Sequence, residues 1–274
     1  MQPLIHLNVL ASGSKGNAAI VEGPVGAVLV DCGISRKCLL ERSAELGVDP
    51  SSIVAAVFTH EHSDHVSGAS VFCRRFDGPL YATAGTVAAR SYLMELPFTI
   101  VNARDAFDLA GMHVETFPTS HDVADPFGLR FSVMDSAGEE LDALGWCTDT
   151  GVLSPQALHL LRGCRILGIE SNHDRKMLAN GPYPAYLKER VRGSHGHLSN
   201  DQCAEALPKL VTEATETVVA LHLSEKNNRP SVCIRTLAAA LDAEAANDTF
   251  TEARTPDGTL TICPAGQNKP LSVW

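Results

Sequence analysis

The residues best equipped for chemistry sit together in the hexad His60-Glu61-His62-Ser63-Asp64-His65. Three imidazoles and the Asp64 carboxylate this close cannot all be buried without partners. They can all turn toward a metal ion, because imidazole and carboxylate both ligate divalent metals. The hexad follows the apolar run Ile53-Val-Ala-Ala-Val-Phe58, which reads as a short buried strand. While the chain stays extended its side chains alternate, so His60 and His62 face one side. A turn into helix near Asp64 sends Asp64 and His65 in a new direction, and one segment can then feed two adjacent ions. The competing reading is a histidine-rich surface loop.

The elements that must hold such a site are legible on either side. Leu4 to Leu10 reads as a strand and runs into Ala11-Ser-Gly-Ser-Lys-Gly-Asn17. That small-residue loop, with Ser14 in it, offers backbone N–H groups that could cradle an anion. Ala18–Glu22 and Ala27–Asp31 flank Gly-Pro-Val-Gly and read as a hairpin. Ser35 to Leu46 reads as an amphipathic helix with Leu39, Leu40 and Leu46 inward. A helix over Val66–Arg75, a strand over Pro79–Ala82, a Thr83-capped helix over Val87–Met94 and strands at Met112–Thr116 and Leu129–Met134 follow. Ser154 and Pro155 open a helix that runs to Leu161. Arg165–Ile169 and Thr217–Leu221 are apolar strands that end in Glu170-Ser-Asn-His-Asp174 and in His222. A helix begins near Asp201, with Asn200 expected as its cap.

Composition bounds the rest. The chain has 274 residues, 45% hydrophobic, with a formal net charge of −10, so no global basic field attracts nucleic acid or anionic membrane. No apolar run approaches the roughly 20 residues of a membrane-spanning helix. Met1-Gln-Pro-Leu-Ile-His6 lacks the pattern of a signal peptide. The eight cysteines are scattered without a C-x-x-C pair, as expected of reduced cytoplasmic thiols. Neither repeat nor linker divides the chain, so one domain over 1–274 with no membrane partner is expected.

His60-x-His62-x-Asp64-His65 after an apolar strand resembles the signature of the metallo-β-lactamase superfamily. The resemblance implies an α/β fold, the four-layer αββα sandwich, with one or two metals at its mouth. It extends to Asp31, matching a carboxylate that orients the metal-binding loop without touching metal. It extends also to His121 after a strand, to Asp149 in Thr148-Asp-Thr-Gly151, and to His222 at a strand end. The implied ligand set is His60, His62 and His121 on one metal and Asp64, His65 and His222 on the other, with Asp149 shared. Two ions roughly 3.5–4 Å apart need such a shared anion to offset their repulsion. Ser12-Gly-Ser-Lys-Gly-Asn17, Glu170-Ser-Asn-His-Asp174, Gly196-His-Leu-Ser-Asn200 and His222-Leu-Ser-Glu-Lys-Asn-Asn228 are similar to the YycJ/WalJ branch. That branch implies a cytosolic protein, with 5′→3′ exonuclease activity on DNA in some members.

The chemistry follows from the ligand set. Two divalent ions facing Asp64, Asp149 and one hydroxide leave a local charge of about +1, which suits a phosphodiester. Zn, Mn and Fe all suit such ligands. Besides Asp64 at the metals, His197 and His173 are the candidates for protonating the departing oxygen. Asn172, Ser199 and Ser14 are candidates for substrate contact. From Arg175 to Arg192 the charge is +4, and Lys188 and Arg192 there form a candidate basic lip for DNA, interleaved with Tyr183 and Tyr186. The alternative class is a small-molecule ester, thioester or lactone hydrolase using the same hydroxide.

Overall fold

The computed structural model describes residues 3–274, so the first two residues of the stretch read above for a signal peptide lie outside the described residues. The chain divides into two compact units. The first comprises residues up to 118 with 123–143 and 266–274, and the second comprises 119–122 and 144–265.

The first unit opens with β1 (His6–Ala11), β2 (Ala18–Gly23) and β3 (Gly26–Val30), each antiparallel to the last. The strand begins at His6 rather than Leu4, because the Leu4 and Ile5 N–H groups donate to the Asp142 carboxylate. Helix α1 (Arg36–Leu46) is capped by Ser35, whose hydroxyl accepts from the Cys38 N–H, and ends on left-handed Gly47. It buries Leu39 and packs Leu40 and Leu46 against the same core as Leu10, Ile20, Leu29 and Phe58. The crossover delivers β4 (Ile53–Val57) parallel to β3.

Helix α2 (Ser63–Val66) starts inside the histidine hexad, and α3 (Ala69–Cys73) follows. The expected continuous helix over Val66–Arg75 is therefore two pieces, broken at Gly68. A Cβ at Gly68 would stand 1.9 Å from the Ile34 carbonyl oxygen, so the backbone itself is the packing surface there. Strand β5 (Leu80–Thr83) leads to α4 (Ala84–Ala88), α5 (Ser91–Met94) and β6 (Phe98–Val101). The helix expected over Val87–Met94 is also split. Arg90 is extended between the pieces and its Nε donates to the Glu61 carbonyl, 3.0 Å away.

Strands β7 (Ala106–Leu109), β8 (Met112–Pro118) and β9 (Phe127–Met134) pair antiparallel, with β9 beside β10 (Glu140–Cys147). Short β6 and β7 carry little periodic signal and were not expected from the sequence.

The second unit begins within β10. Helix α6 (Pro155–Leu161) has Ser154 as its cap, as expected. Then come β11 (Ile166–Glu170), α7 (Arg175–Asn180), α8 (Ala185–Arg192) and α9 (Asn200–Leu210). The cap of α9 is Ser199 and not Asn200: Ser199 and Gln202 form a capping box. Strand β12 (Thr217–Leu221), α10 (Pro230–Ala239), β13 (Glu244–Ala245), β14 (Ala253–Arg254) and β15 (Thr261–Pro264) complete the unit. Strands β10, β11, β12 and β15 are parallel neighbours in that order. Finally β16 (Leu271–Val273) returns to the first unit and pairs with β1, giving its sheet the order β16-β1-β2-β3-β4-β5-β6. Two mixed sheets with helices are the components of the expected αββα class. Among the described residues no helix is long and apolar enough to cross a membrane.

Candidate metal centre

In the first unit the histidine segment leaves the end of β4 beside the end of β3. Asp31 follows β3 with φ of 58°, a left-handed conformation that a non-glycine residue adopts at a cost of about 1–3 kcal/mol. That turn aims its buried carboxylate across at the next loop. Oδ1 accepts from the Thr59 N–H at 2.8 Å, and Oδ2 lies 2.7 Å from His65 Nδ1. A carboxylate holding one imidazole nitrogen fixes the tautomer and presents the other as a lone pair. His60 Nδ1 is likewise 3.1 Å from Thr59 Oγ1. Gly33 lets this loop approach: a Cβ there would sit 1.6 Å from the Asp64 carbonyl oxygen. Asn17 completes the brace. Its N–H donates to the Asp64 carbonyl at 2.7 Å and its Nδ2 lies 3.0 Å from His65 Nε2.

The second unit supplies a second set of groups. Because β10, β11 and β12 are parallel and in register, with Cys147 opposite Ile169 and Glu170 opposite Leu221, their C-terminal ends align. Asp149 and His222, both with positive φ (54° and 55°), follow two of these ends, and Glu170 closes the third. Asp149, Glu170, His197 and His222 offer ligand atoms all within 4.8 Å of one another. Glu170 is the hub. One oxygen meets His197 Nδ1 at 2.8 Å and His222 Nδ1 at 3.1 Å, and the other accepts the N–H groups of Thr150 and Leu198. Burial alone would raise this carboxyl, but the His197 charge and the hydrogen bonds from His197 and His222 hold it below the usual range. His121 Nδ1 faces the Gly196 carbonyl at 3.0 Å, and His121 Nε2 is 3.6 Å from Asp149. Burial lowers the His121 pKa, keeping it in the neutral form that ligates metals.

The donor set therefore fits divalent metals. His65, His121 and His222 each commit Nδ1 to an oxygen partner, so Nε2 is the ring nitrogen that carries the lone pair, and at His65 the Asn17 amide lies 3.0 Å from it.

A family model described as "Beta-lactamase superfamily domain" matches residues 27–223. The chain is 35% identical over 230 residues to "Exodeoxyribonuclease YycJ" of Bacillus anthracis, covering 82% of this chain and 84% of the relative. It is 33% identical over 227 residues to "Exodeoxyribonuclease WalJ" of Streptococcus pneumoniae, covering 81% and 82%. The chain belongs to the YycJ/WalJ branch of the metallo-β-lactamase superfamily. Solved structures agree on the fold. A diphosphatase from the PhnP family superposes with a TM-score of 0.64 at 19% identity, covering 98% and 97% of the two chains. Zinc-bound PqqB from Methylobacterium extorquens gives 0.67 at 13% identity, covering 98% and 99%. The αββα class expected from the sequence stands, and as a member of this superfamily the chain is a metal-dependent hydrolase.

Several candidate substrate contacts also have partners within the protein. Asn172 is buried and its amide donates to the His222 carbonyl at 2.8 Å, so it braces a loop. Ser199 is buried in the capping box, where its hydroxyl also lies 3.2 Å from Arg175 Nε. The Ser12–Asn17 loop is not an open anion cradle. The N–H groups of Ser12, Gly13, Lys15, Gly16 and Asn17 are all donated to protein oxygens, while Ser14 is exposed at the tip. In the basic lip, Lys188 donates to the Ala179 carbonyl at 2.7 Å, Arg190 pairs with Asp122, and Arg192 pairs with Glu189. His173 is buried, and burial pushes its pKa down to about 4. Glu170 is a site residue that the motif pattern does not single out. Its signal was available: a carboxylate closing a fully apolar strand, as Asp31 does.

Proposed function

We propose that this protein is a metal-dependent phosphodiesterase that acts on DNA as an exonuclease of 5′→3′ polarity, in the cytoplasm. The observation that carries this reading is the 35% identity, over most of both chains, to a protein named as an exodeoxyribonuclease. The eight free cysteines support a reducing compartment.

Two divalent ions, Zn or Mn with Fe as a third choice, are assigned to His60, His62, His121, Asp64, His65 and His222, with Asp149 shared. When bound they supply hydroxide near neutral pH and offset charge on the phosphoryl oxygens. Asp64 contributes negative charge that tunes this balance. His197 is assigned the proton for the departing ribose oxygen. Glu170 is its positioning residue, holding Nδ1 at 2.8 Å, which leaves Nε2 as the ring nitrogen that would give the proton. His173 lacks the carboxylate partner that would sustain a protonated ring, which favours His197 over it as the acid.

The test is one substrate panel on the Mn- and Zn-loaded protein: DNA and RNA oligonucleotides, bis-(p-nitrophenyl) phosphate and a thioester. DNA is expected to be shortened from its 5′ end. Asp149→Ala should lose that activity together with bound metal by elemental analysis. Turnover of the thioester with inert DNA would replace this reading with the small-molecule hydrolase. Undiminished metal in Asp149→Ala would remove the shared-ligand assignment.

A further inference from the structure

Within the second unit, α7, α8 and the start of α9 enclose a cavity of about 470 Å3, inside the roughly 300–1,000 Å3 of small-ligand sites. We propose that this cavity is a subsite for a nucleoside monophosphate, occupied in turnover by the phosphate-bearing terminal nucleotide of the strand. The inference rests on the nuclease reading for its place in turnover, but the binding itself does not.

Charge is the first argument. Arg175, Lys188 and Arg192 line the cavity, with Glu189 as the opposing carboxylate in its wall. Glu189 is already engaged by Arg192 from one turn further along α8. Arg175 lies 3.4 Å from Asp201, and both are about half exposed. Exposed pairs of this kind are worth about 0–1 kcal/mol, so a phosphate can compete for the guanidinium groups. The Lys188 ammonium carries three donors, of which one is directed at the Ala179 carbonyl.

The wall is the second argument. Leu178, Ala179 and Ala185 give the cavity an apolar side next to its cationic one. A bare phosphate needs no such surface, whereas the flat faces of a sugar and base do.

The third argument is His173. It lines the cavity, is 1% exposed, and its Nδ1 is buried with no hydrogen-bond partner. An unpaired buried polar atom costs about 1–3 kcal/mol, which a ligand atom would recover once a small rotation of the ring opened Nδ1 to the cavity. His173 is also the third residue after Glu170 on the loop leaving β11, and both Glu170 and His197 contribute to its electrostatics. The cavity therefore borders the loop that carries the chain on from Glu170.

The experiment uses the metal-loaded full chain with dAMP and deoxyadenosine as calorimetric probes. It is paired with oligonucleotides bearing a 5′-phosphate, a 5′-hydroxyl or a 3′-phosphate. Wild type is expected to bind dAMP at least about tenfold more tightly than deoxyadenosine. Lys188→Gln removes a donor and Ala185→Trp fills the space without changing charge; each should weaken dAMP at least about fivefold with an unchanged melting temperature. On oligonucleotides, wild type should show a lower KM for one phosphorylated terminus than for the hydroxyl, and both variants should bring that ratio toward one. Equal binding of dAMP and deoxyadenosine, or undiminished dAMP binding in both variants, overturns the subsite. If dAMP binds as expected but no oligonucleotide is shortened, the nuclease reading fails and the cavity remains a nucleotide site. If DNA is shortened without preference for either terminus and dAMP does not bind, the subsite fails and the nuclease reading remains.

Discussion

Glu170 illustrates how much one side chain organises. It accepts from two imidazoles and two backbone N–H groups, so its charge is spread over partners that all lie at strand or loop ends. Glu170→Gln keeps the size but removes the charge and one acceptor. Outer partners of metal-binding histidines are worth about 10–100-fold in affinity or activity. The variant should therefore retain its far-UV circular dichroism yet lose metal on dialysis and turn over 10–100-fold more slowly, about the range such partners set. His173 makes a separate prediction about pH. Its folded pKa of about 4 lies below the ordinary 6.5. As pH falls, the unfolded chain takes up the proton first. The stability tied to neutral His173 is thus complete above 6.5 and is lost as pH falls toward 4. Urea denaturation across that window should show wild type weakening more than His173→Gln, by on the order of 3 kcal/mol at most.

At the scale of elements, the residues just past the strand ends matter. Asp31, Asp149 and His222 all have positive φ just past apolar strands, and these account for three of the six non-glycine residues with positive φ among the described residues. Such conformations persist only where surrounding structure holds them. Gly33 is part of that hold, because backbone meets backbone there. Gly33→Ala must displace the Asp64 carbonyl, since the added atom would lie 1.6 Å from it. That shift drags the whole hexad and the Asn17 brace with it. The expected outcome is a lower melting temperature and reduced metal content together. Ser199→Ala should cost about 1 kcal/mol by chemical denaturation through loss of the α9 capping box, without comparable metal loss.

For the whole molecule, charge is the governing quantity. A chain of −10 concentrates +4 between Arg175 and Arg192, so any hold on a nucleic acid must be local. Part of that positive charge is spent internally on Asp122, Glu189 and Asp201. Lys176 and Lys188 then remain for about two phosphate contacts, and for a single strand log affinity should fall against log salt with a slope of about −1.4. KM for DNA measured over a salt series checks this, and a slope steeper than about −5 would mean more phosphate contacts than these residues can make. Lys188→Glu with Arg192→Glu should raise KM for DNA and flatten the slope further.

The sequence by itself was sufficient for the inventory of ligand-type residues and for the family. Ligand chemistry belongs to residue type, and the hexad His60–His65 is local. Capping and periodicity are local as well, so Ser35, Ser154, the hairpin before Asp31 and the apolar strands could be read directly. What only the tertiary structure decided is who touches whom. His65 meets Asp31 across 34 residues, and His222 meets Glu170 across 52. No periodicity encodes such pairs, because they arise from the register of parallel strands that helices separate along the chain. The same reason explains the split helices at Gly68 and Arg90, whose ends are set by tertiary backbone contacts that override propensity. It also explains why Asn172 and Ser199 read as substrate contacts in a polar loop, when folding turns both inward to hold the loops that carry His222 and begin α9.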